Sequence, residues 1–579
     1  MAETEANSVS LAILGSGGAG ALTAGGILLE AAGKAGLYGM LTRSVGPQIR
    51  GGEAAALVRL ARDPVECAAE RYDLMIGIDW KNADRLAAEI PLSPQGLIIA
   101  DPESGPVPEE ITASGALVVE FPLKQTAKAI SGGRENMVAA GLAAALTGMD
   151  IEAVRQVIRT KLARKGDDAV SSGLACLDAG IKGAEKMPRS YKLNTTPQSD
   201  RDRWLITGNE AVGLGAVRGG IRFAAAYPIT PATEVLEWLA PALARVGGAL
   251  VQAEDELSSI NMAIGASFGG RASMTATSGP GLALMMEALG LSAASETPVV
   301  VVDVMRGGPS TGIPTKSEQS DLNIAVYGFH GDAPHVVVGP LGVADCLFTA
   351  QWAVHLAEAM QVPAIVLSDQ AIGQARAVID RPADLSFFAN RRIWQGGDQD
   401  EQEYARYALT ADGISPMALP GTPGGQYTAD GLTHSITGTP SSRMSDQKAQ
   451  MDKRRDKVEQ FDYGTHWAEI EGDGDTVILT WGSTTGAARE AAARLRAEGT
   501  DVKLVALRLI SPFPAAQLLQ AIHDASRVLV VEQTHSGQFA RHVRAHCDLP
   551  GEVRPFHREG PRLIGPAEIV IEITDWIKP

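Results

Sequence analysis

Long apolar runs are missing from this chain of 579 residues. No stretch approaches the roughly 18 consecutive apolar residues that a membrane-spanning helix requires, although 45% of the residues are hydrophobic. Basic charge is also in deficit, because 51 lysines and arginines face 68 acidic residues and the net charge is -17. A broad nucleic-acid-binding surface needs clustered basic residues. The composition therefore argues against both a membrane span and a nucleic-acid partner.

Cysteine is scarce, and its four copies are scattered along the chain. They are Cys67, Cys176, Cys346 and Cys547. They form no C-x-x-C pair, whereas an iron-sulfur cluster or a structural zinc draws its ligands from closely spaced cysteines. We therefore expect no metal site on this chain. Sparse cysteines also fit a reducing compartment, and the acidic N-terminus lacks the positive charge of a signal peptide, so the sequence predicts a cytoplasmic protein.

The length allows about three to five domains. In residues 1–190 a strand-like run leads into Gly15-Ser16-Gly17-Gly18-Ala19-Gly20 and a helix of small residues, which is typical of an α/β domain. Residues 203–380 alternate apolar strands with helices, which predicts a doubly wound parallel sheet. Residues 381–470 are rich in turn-forming Pro and Gly and predict an irregular connecting segment. Residues 471–579 alternate again and predict a closing α/β domain, so the fold class is multidomain α/β.

Three loops of the second predicted domain follow strand-like runs directly. They are Tyr227-Pro228-Ile229-Thr230-Pro231, Thr277-Ser278-Gly279-Pro280-Gly281 and Arg306-Gly307-Gly308-Pro309-Ser310-Thr311-Gly312. Ligands of doubly wound sheets bind beyond the carboxyl ends of the strands, so we expect these loops to line one site. The second loop opens a helix, where bare glycines and unpaired amides let a ligand approach the backbone.

An acidic cluster, Glu254-Asp255-Glu256, begins another predicted helix between the first two loops. Acids at that position favour the helix dipole, so the residues alone leave open a solvated first turn or a place in the site.

Taken in order, these residues resemble the alpha subunit of 2-oxoacid:ferredoxin oxidoreductases, most closely the 2-oxoglutarate type, over nearly the whole chain. The resemblance implies a thiamine-diphosphate domain of the pyrimidine-binding type at 203–380, a fused gamma-type domain at 1–190 and a transketolase C-terminal-like domain at 471–579. In that family a glutamate holds the N1′ position of the aminopyrimidine and activates the coenzyme. The resemblance gives this catalytic role to Glu256, with Glu254 as the fallback.

The resemblance also assigns the remaining contacts of the site. Thr230 and Arg306 would bind the carboxylate end of the 2-oxoacid. Lys316 aligns with a basic position of the family, and a second cation suits the dicarboxylate 2-oxoglutarate, whereas pyruvate would leave it unpaired. The implied coenzyme contacts, besides Glu256, are Tyr227, Pro228, Ile229, Ser278, Gly279, Pro280 and Gly281.

A partner subunit follows from what the chain lacks. Gly472-Asp473-Gly474 matches the start of a magnesium- and diphosphate-binding motif, but no asparagine occurs after Asn390, so we interpret it as a turn. The resemblance then implies a beta subunit that carries Mg2+ and a 4Fe-4S cluster, with thiamine diphosphate shared between the subunits of an (alpha-beta)2 assembly. CoA would be the co-substrate and ferredoxin the electron acceptor.

Three alternatives remain open on the sequence. The substrate could be pyruvate or another 2-oxoacid, or the chain could be a noncatalytic structural subunit. A third hypothesis is an NAD(P) site, because Gly15, Gly17 and Gly20 satisfy G-x-G-x-x-G. The acid expected at the end of the next strand is absent from Leu37 to Ser44, and the domain better resembles the family's gamma domain, with its Arg50-Gly51-Gly52.

Overall fold

A computed structural model of the protein describes residues 2–46, 52–195, 201–313, 316–396 and 404–578. The chain forms two compact units. The first comprises Met1–Thr207, Gln374–Ala383 and Gly565–Glu568, and the second comprises Gly208–Gly373, Asp384–Ile564 and Ile569–Pro579. Within the described ranges, no helix combines the length and apolar character needed to cross a membrane.

An eight-stranded mixed sheet forms the centre of the first unit. In spatial order its strands are Leu117–Glu120, Leu92–Ala100, Tyr72–Gly77, Ser8–Ser16, Glu53–Ala61, Tyr38–Val45, Arg376–Asp380 and Arg203–Thr207. The first four run parallel, and the pairings from Ser8–Ser16 onward are antiparallel. A separate parallel pair joins Ala2–Ala6 to Arg189–Leu193. The strand Arg203–Thr207, which we predicted in the second domain, thus belongs to the sheet of the first unit.

Helices of the first unit pack on this sheet around an apolar core. They are Ala21–Lys34, Glu109–Thr112, Leu123–Lys128, Glu135–Thr147, Ile151–Leu162 and Asp167–Ala184, with 3-10 turns at Ala83–Glu89, Pro102–Ser104 and Ala163–Lys165. Small residues permit close packing: an added Cβ at Gly141 would overlap the backbone of Leu177 on the neighbouring helix.

The glycine loop at 15–20 does not belong to a dinucleotide-binding unit of the usual topology. Gly18 and Gly20 have φ of 103° and 88°, and the loop opens the helix Ala21–Lys34 as predicted. The next strand, Tyr38–Val45, is separated from Ser8–Ser16 by the antiparallel strand Glu53–Ala61. The dinucleotide fold requires the first two strands to lie side by side and parallel, so this topology disfavours the NAD(P) hypothesis. Arg50 and Gly51 lie outside the described residues.

A seven-stranded sheet forms the first layer of the second unit. Its order is Ala249–Gln252, Phe223–Ala226, Ser273–Thr277, Val299–Met305, Pro363–Asp369, Val336–Val338 and Leu509–Ser511. All pairings are parallel except the last. The apolar run Val299–Met305 is buried at every position, as expected for a central strand of a parallel sheet. The predicted parallel α/β sheet is therefore confirmed.

In the described part of this unit, seven helices lie before, between or after the strands Phe223–Ala226 to Pro363–Asp369 in the chain. They are Gly208–Gly219, Thr233–Arg245, Glu256–Phe268, Gly279–Ser295, Leu322–Tyr327, Asp345–Met360 and Gln370–Gly373. Residues 404–443 form irregular structure, with isolated bridges only, before the charged helix Met444–Glu459.

A five-stranded sheet completes the second unit. Its strands, in spatial order, are Ala468–Glu471, Val502–Leu507, Thr476–Trp481, Arg527–Glu532 and Glu552–His557. The accompanying helices are Thr484–Ala497, Ala515–Ala521 and Gln538–His546. The helix Pro566–Ile577 begins among the residues of the first unit and ends among those of the second. Gly472-Asp473-Gly474 lies in the short connection between the strands Ala468–Glu471 and Thr476–Trp481, outside any helix or strand.

Candidate active site

The three predicted loops leave one edge of the seven-stranded sheet. Phe223–Ala226, Ser273–Thr277 and Val299–Met305 are parallel neighbours, and Thr277 lies opposite Asp303 in the ladder. Each loop begins directly after its strand, so all three emerge at the carboxyl edge, where ligands of such sheets bind.

Glu256 is the buried member of the acidic cluster. Asp255 caps the helix Glu256–Phe268 by accepting a hydrogen bond from the Ser258 amide at 2.6 Å. Glu256 is only 8% exposed, whereas Glu254 is exposed. A Cβ added to Gly281 would overlap Thr277 Oγ1 and lie 2.9 Å from Glu256 Oε1. The Glu256 carboxylate therefore lies directly against the glycine turn, and the structure favours it over Glu254.

The turn itself contains a buried hydroxyl group without a hydrogen-bond partner in the described part of the protein. Ser278 occupies the N-cap position of the helix Gly279–Ser295 and is fully buried, but its Oγ makes no capping hydrogen bond and has no hydrogen-bond partner among the described residues. A Cβ added to Gly279 would lie 2.6 Å from either carboxylate oxygen of Asp321. Glycine is thus required on both flanks of the turn, because one carboxyl group packs on each side of it.

Arg306 and Thr230 meet at the rim. The Arg306 guanidinium donates through Nη1 to the backbone carbonyl of Thr230 at 2.8 Å. Arg306 Nε is buried and finds no acceptor within the described part of the chain. Thr230 is exposed. The structure therefore brings together the two residues to which the resemblance gives a carboxylate-binding role, but Arg306 contacts the backbone carbonyl of Thr230 and not its hydroxyl.

The loop after Arg306 closes on itself and places Lys316 nearby. The Gly307 amide donates to the Lys316 carbonyl at 2.9 Å, and the Ile313 amide donates to the Gly307 carbonyl at 3.1 Å. Lys316 is half-buried, and Pro314 and Thr315 lie outside the described residues. Lys316 is thus held beside the residue that follows Arg306.

Two acidic residues of the site were not predicted from the sequence. Asp303 lies fully buried in the strand Val299–Met305, and Asp321 lies directly before the helix Leu322–Tyr327 with its carboxylate against Gly279. Burial, followed by the neighbouring Asp321, raises the pKa of Asp303 well above its usual range. Burial also raises the pKa of Asp321 to about 7, although the neighbouring Asp303 and Arg306 oppose the rise. One signal existed: Asp303 is the single acid in an otherwise apolar strand.

The five-stranded sheet anchors the segment that carries Lys316 and Asp321. Gln319 Nε2 donates to the Trp481 carbonyl at 2.9 Å, and its Oε1 accepts from the Gln533 amide at 2.7 Å. Gln538 Nε2 donates to the Ser320 carbonyl at 2.8 Å. These bonds attach the loop to the ends of two strands of that sheet.

The assembled edge combines a buried carboxylate, the open amides of a helix N-terminus and a guanidinium at the rim. Such a set can hold a basic ring nitrogen against Glu256, receive an anionic group at the rim and keep water away from the carboxylate. It is suited to a ring-containing cofactor and an acidic substrate.

Three family models match the chain. The description "Pyruvate flavodoxin/ferredoxin oxidoreductase, thiamine diP-bdg" matches residues 214–453, and "Pyruvate ferredoxin/flavodoxin oxidoreductase" matches residues 10–183. "Pyruvate:ferredoxin oxidoreductase core domain II" matches residues 474–569.

Similar proteins extend the match. The 2-oxoglutarate synthase subunit KorA of Methanothermobacter marburgensis is 34% identical over 380 residues, 64% of this chain and 98% of that one. The 2-oxoglutarate oxidoreductase subunit KorA of Mycobacterium tuberculosis is 35% identical over 424 residues, 71% of this chain but 63%, less than two thirds, of that protein. The solved 2-oxoglutarate:ferredoxin oxidoreductase of Magnetococcus marinus, with 2-oxoglutarate, coenzyme A and succinyl-CoA bound, is 36% identical with a TM-score of 0.92, covering 99% of this chain and 100% of that one. The chain therefore belongs to the 2-oxoacid:ferredoxin oxidoreductase family.

Proposed function

We propose that this chain is the alpha subunit, with a fused gamma domain, of a thiamine-diphosphate-dependent 2-oxoglutarate:ferredoxin oxidoreductase. The reaction converts 2-oxoglutarate, CoA and oxidised ferredoxin into succinyl-CoA, CO2 and reduced ferredoxin, or runs in reverse. The observation that carries the proposal is the burial of Glu256 against the glycine turn at Gly281. The substrate is supported by the Magnetococcus marinus structure, which contains 2-oxoglutarate, coenzyme A and succinyl-CoA.

The residues at the carboxyl edge fit thiamine diphosphate. The Ser278 hydroxyl is buried and unsatisfied among the described residues, and the turn after it has no side chain at either glycine. When bound, the coenzyme supplies a nucleophilic carbon that can add to the keto group of a 2-oxoacid. Glu256 would hold the N1′ side of the aminopyrimidine and keep a proton there, shielded from water. The loop from Tyr227 to Ile229 and the turn from Ser278 to Gly281 would contact the coenzyme.

The substrate end of the site would be formed by Arg306, Thr230 and Lys316. A planar guanidinium matches a carboxylate in a bidentate geometry, and the bond from Arg306 to the Thr230 carbonyl holds that fork at the rim. Lys316, held beside Gly307, would receive the second carboxylate of 2-oxoglutarate. Both acidic ends of the substrate would then be paired, which a monocarboxylic 2-oxoacid cannot achieve.

A beta subunit would complete the enzyme. Four dispersed cysteines and the absence of asparagine after Asn390 leave this chain without the usual ligands of a 4Fe-4S cluster and of Mg2+ with diphosphate. We place both on the partner, with thiamine diphosphate between the two subunits of an (alpha-beta)2 assembly and ferredoxin as the acceptor of electrons.

We also retain the domain assignment as a proposal. Residues 1–190 would be the gamma-type domain, 203–380 the pyrimidine-binding domain, 381–470 the connecting segment and 471–579 the transketolase C-terminal-like domain. The protein would act in the cytoplasm, in keeping with its few cysteines.

Turnover by the assembled complex tests the proposal. The chain is co-expressed with the reading frame beside it, and CoA-dependent reduction of ferredoxin is measured with 2-oxoglutarate and with pyruvate. We expect activity with 2-oxoglutarate only when both chains are present. Glu256→Gln should lower turnover by about 10²- to 10⁴-fold because the carboxylate no longer exchanges a proton with the coenzyme. Glu254→Gln, at an exposed position, is the matched control and should retain full turnover.

Two outcomes would reject the proposal. Full turnover by the Glu256→Gln complex would favour a noncatalytic alpha chain, and equal turnover of pyruvate and 2-oxoglutarate would remove the substrate assignment.

A further inference from the structure

A buried asparagine bonds to the loop that carries Thr230. Asn209 is fully buried in the first turn of the helix Gly208–Gly219. Its Nδ2 donates a hydrogen bond to the Pro231 carbonyl at 2.9 Å and a longer one to Glu234 Oε2 at 3.3 Å. A carbonyl oxygen can only accept a hydrogen bond, so the amide nitrogen of Asn209, and not its oxygen, must face the loop. Asn209 therefore joins its own helix to the loop and to the helix that follows the loop.

The other side of the Asn209 amide makes no comparable bond. Asn209 Oδ1 is buried and has no hydrogen-bond partner among the described residues. It packs closely on the end of the short helix Gln370–Gly373, since a Cβ added to Gly373 would lie 2.6 Å from it. The polar contacts that Asn209 makes in the described structure are therefore those of Nδ2, which face the loop.

Two donors hold adjacent carbonyl groups of this loop. Asn209 donates to the carbonyl of Pro231, and Arg306 donates to the carbonyl of Thr230 at 2.8 Å. Pro231 and Asn209 are buried whereas Thr230 is exposed, so one donor acts in the interior and the other at the rim. Because the two carbonyls belong to consecutive residues, a shift of Pro231 would also displace the acceptor of Arg306.

We propose that Asn209 is a positioning residue for substrate binding, which fixes the Thr230–Pro231 carbonyls so that the guanidinium of Arg306 meets the carboxylate of the 2-oxoacid. This inference rests on the proposed function, because it takes Arg306 as the residue that binds the substrate. Asn209 acts through the backbone of the loop. A planar guanidinium needs a fixed direction to form two parallel hydrogen bonds with a carboxylate, so a displaced loop weakens substrate binding.

Asn209→Ala removes the donor from the loop. The KM of the assembled complex for 2-oxoglutarate should rise about 3- to 10-fold, the usual effect of one lost hydrogen bond, whereas kcat should change little. A merely structural role would instead reduce the fraction of active enzyme, which lowers kcat and leaves KM unchanged. Asn390→Ala, at an exposed position, is the control and should change neither constant.

Asn209→Leu separates the lost hydrogen bond from the lost volume. Leucine branches at the same carbon as asparagine but has no polar side-chain atom, so it occupies the site without donating to the loop. The Asn209→Leu complex should show a rise in KM like that of Asn209→Ala. If its KM equals that of the unsubstituted complex, the hydrogen bond does not position the loop and the proposal is overturned.

A double-mutant cycle with Arg306 tests whether Asn209 acts through the guanidinium. Arg306→Lys keeps the charge but loses the planar fork. Asn209→Ala should therefore lower kcat/KM much less in the Arg306→Lys complex than in the complex that retains Arg306. Equal losses in the two backgrounds would mean that Asn209 acts independently of Arg306, which contradicts the proposal.

Amide hydrogen exchange of the full-length chain supplies a measurement that does not depend on turnover. The Thr233 amide donates to the Ile229 carbonyl at 3.0 Å across the loop. Its exchange should be faster in both Asn209 variants, because the loop opens more often, and unchanged in Asn390→Ala. Unchanged exchange in both Asn209 variants would show that Asn209 does not hold the loop.

The kinetic and exchange measurements distinguish this inference from the proposed function. If exchange is faster and the complex turns over no 2-oxoacid, the proposed function fails and the role of Asn209 in substrate binding fails with it, while its bond to the loop stands. If the Asn209 variants turn over 2-oxoglutarate with the KM of the unsubstituted complex, this inference alone is rejected.

Discussion

At the scale of single residues, Gly281 has the least tolerance for change in the candidate site. An added Cβ would overlap Thr277 Oγ1 and lie 2.9 Å from Glu256 Oε1. Gly281→Ala should therefore displace Glu256 or the turn and lower turnover of the complex by about 10²-fold, the effect of misplacing a reacting group by about 1 Å. Gly290→Ala, in the same helix, is the control, because its Cβ would meet nothing nearer than His330 Nε2 at 4.0 Å.

The control variant has its own expected result. Alanine costs less conformational entropy than glycine in a helix, so Gly290→Ala should raise the free energy of unfolding by about 0.5–1 kcal/mol and leave turnover unchanged. Equal losses of turnover in the two variants would contradict the close packing of Glu256 on the turn.

Lys316 is the residue on which the choice of substrate depends. Lys316→Ala should raise the KM for 2-oxoglutarate by about 10- to 100-fold, because the second carboxylate loses a charged hydrogen bond. The KM for pyruvate, which has no second carboxylate, should stay the same. Steady-state kinetics with both substrates measures the difference, and Lys448→Ala on an exposed helix surface is the control. A parallel rise for both substrates would instead indicate a general loss of structure.

At the scale of elements, one carboxylate joins a helix of the parallel sheet to the irregular segment. Glu296 follows the helix Gly279–Ser295 and is fully buried. Its two oxygens pair with Lys453 Nζ at 2.7 Å and Lys457 Nζ at 3.0 Å. Both lysines lie on the charged helix Met444–Glu459, and Arg406 donates to the Glu296 carbonyl at 2.8 Å. Two buried lysines of that helix therefore share one buried carboxylate.

Removing this anion should destabilise the folded protein. Glu296→Gln leaves two buried lysines without a counter-charge and should lower the free energy of unfolding by about 3–5 kcal/mol, measured by urea denaturation. Glu287→Gln, on the exposed face of the preceding helix, is the control and should change it by less than about 0.5 kcal/mol. A similar small effect of both variants would show that the pairs contribute little.

The carboxyl group of Glu296 should also make the stability of the fold depend on pH. Burial opposes ionisation of Glu296, but Lys457, Lys453 and Arg406 outweigh it and hold its pKa well below the usual range. The unfolded chain therefore takes up this proton first. Glu296 stabilises the fold above the ordinary glutamate pKa of about 4.3, and this contribution is lost as the pH falls further. Unfolding of Glu296→Gln in this acid range should accordingly depend less on pH than that of the unsubstituted chain.

At the scale of the whole molecule, the first unit is built from distant parts of the chain. The strand Arg376–Asp380 lies between Tyr38–Val45 and Arg203–Thr207. Tyr38 Oη donates to Asp380 Oδ1 at 2.8 Å, and the Arg203 guanidinium stacks 4.0 Å from the centre of the Tyr38 ring while pairing with Asp380. A fragment that ends at the predicted domain boundary, residue 190, would therefore lack the strands Arg203–Thr207 and Arg376–Asp380.

A truncated fragment tests this interlocking. A chain of residues 1–195 should expose Tyr38–Val45 as an unpaired edge, because both strands beyond it are removed. We expect faster amide hydrogen exchange in that strand and concentration-dependent self-association, compared with the full-length chain. The control extends the fragment to residue 207 and links it to residues 374–383. If the short fragment stays monomeric with unchanged exchange, the added strands are not needed to protect this edge.

Much of the fold was accessible from the sequence because its signals are local. The continuous apolar run Val299 to Val304 predicted a buried parallel strand, and the turn at Ser278 to Gly281 predicted a helix that starts there. The strand Arg376–Asp380 was not predicted, because a short run with charged ends shows no periodicity of its own and gains its pairing from residues far away in the chain.

The same division holds for the candidate site. The sequence by itself determined which loops meet at one edge, since parallel strands carry their loops to the same side. Only the tertiary structure decided that Glu256 is buried while Glu254 is exposed, that Arg306 bonds to the Thr230 carbonyl, and that the Asp321 carboxylate packs against Gly279. The physical reason is the sequence separation of the interacting residues. Turns and strands follow from neighbours in sequence, whereas burial and ionisation depend on groups that folding brings together.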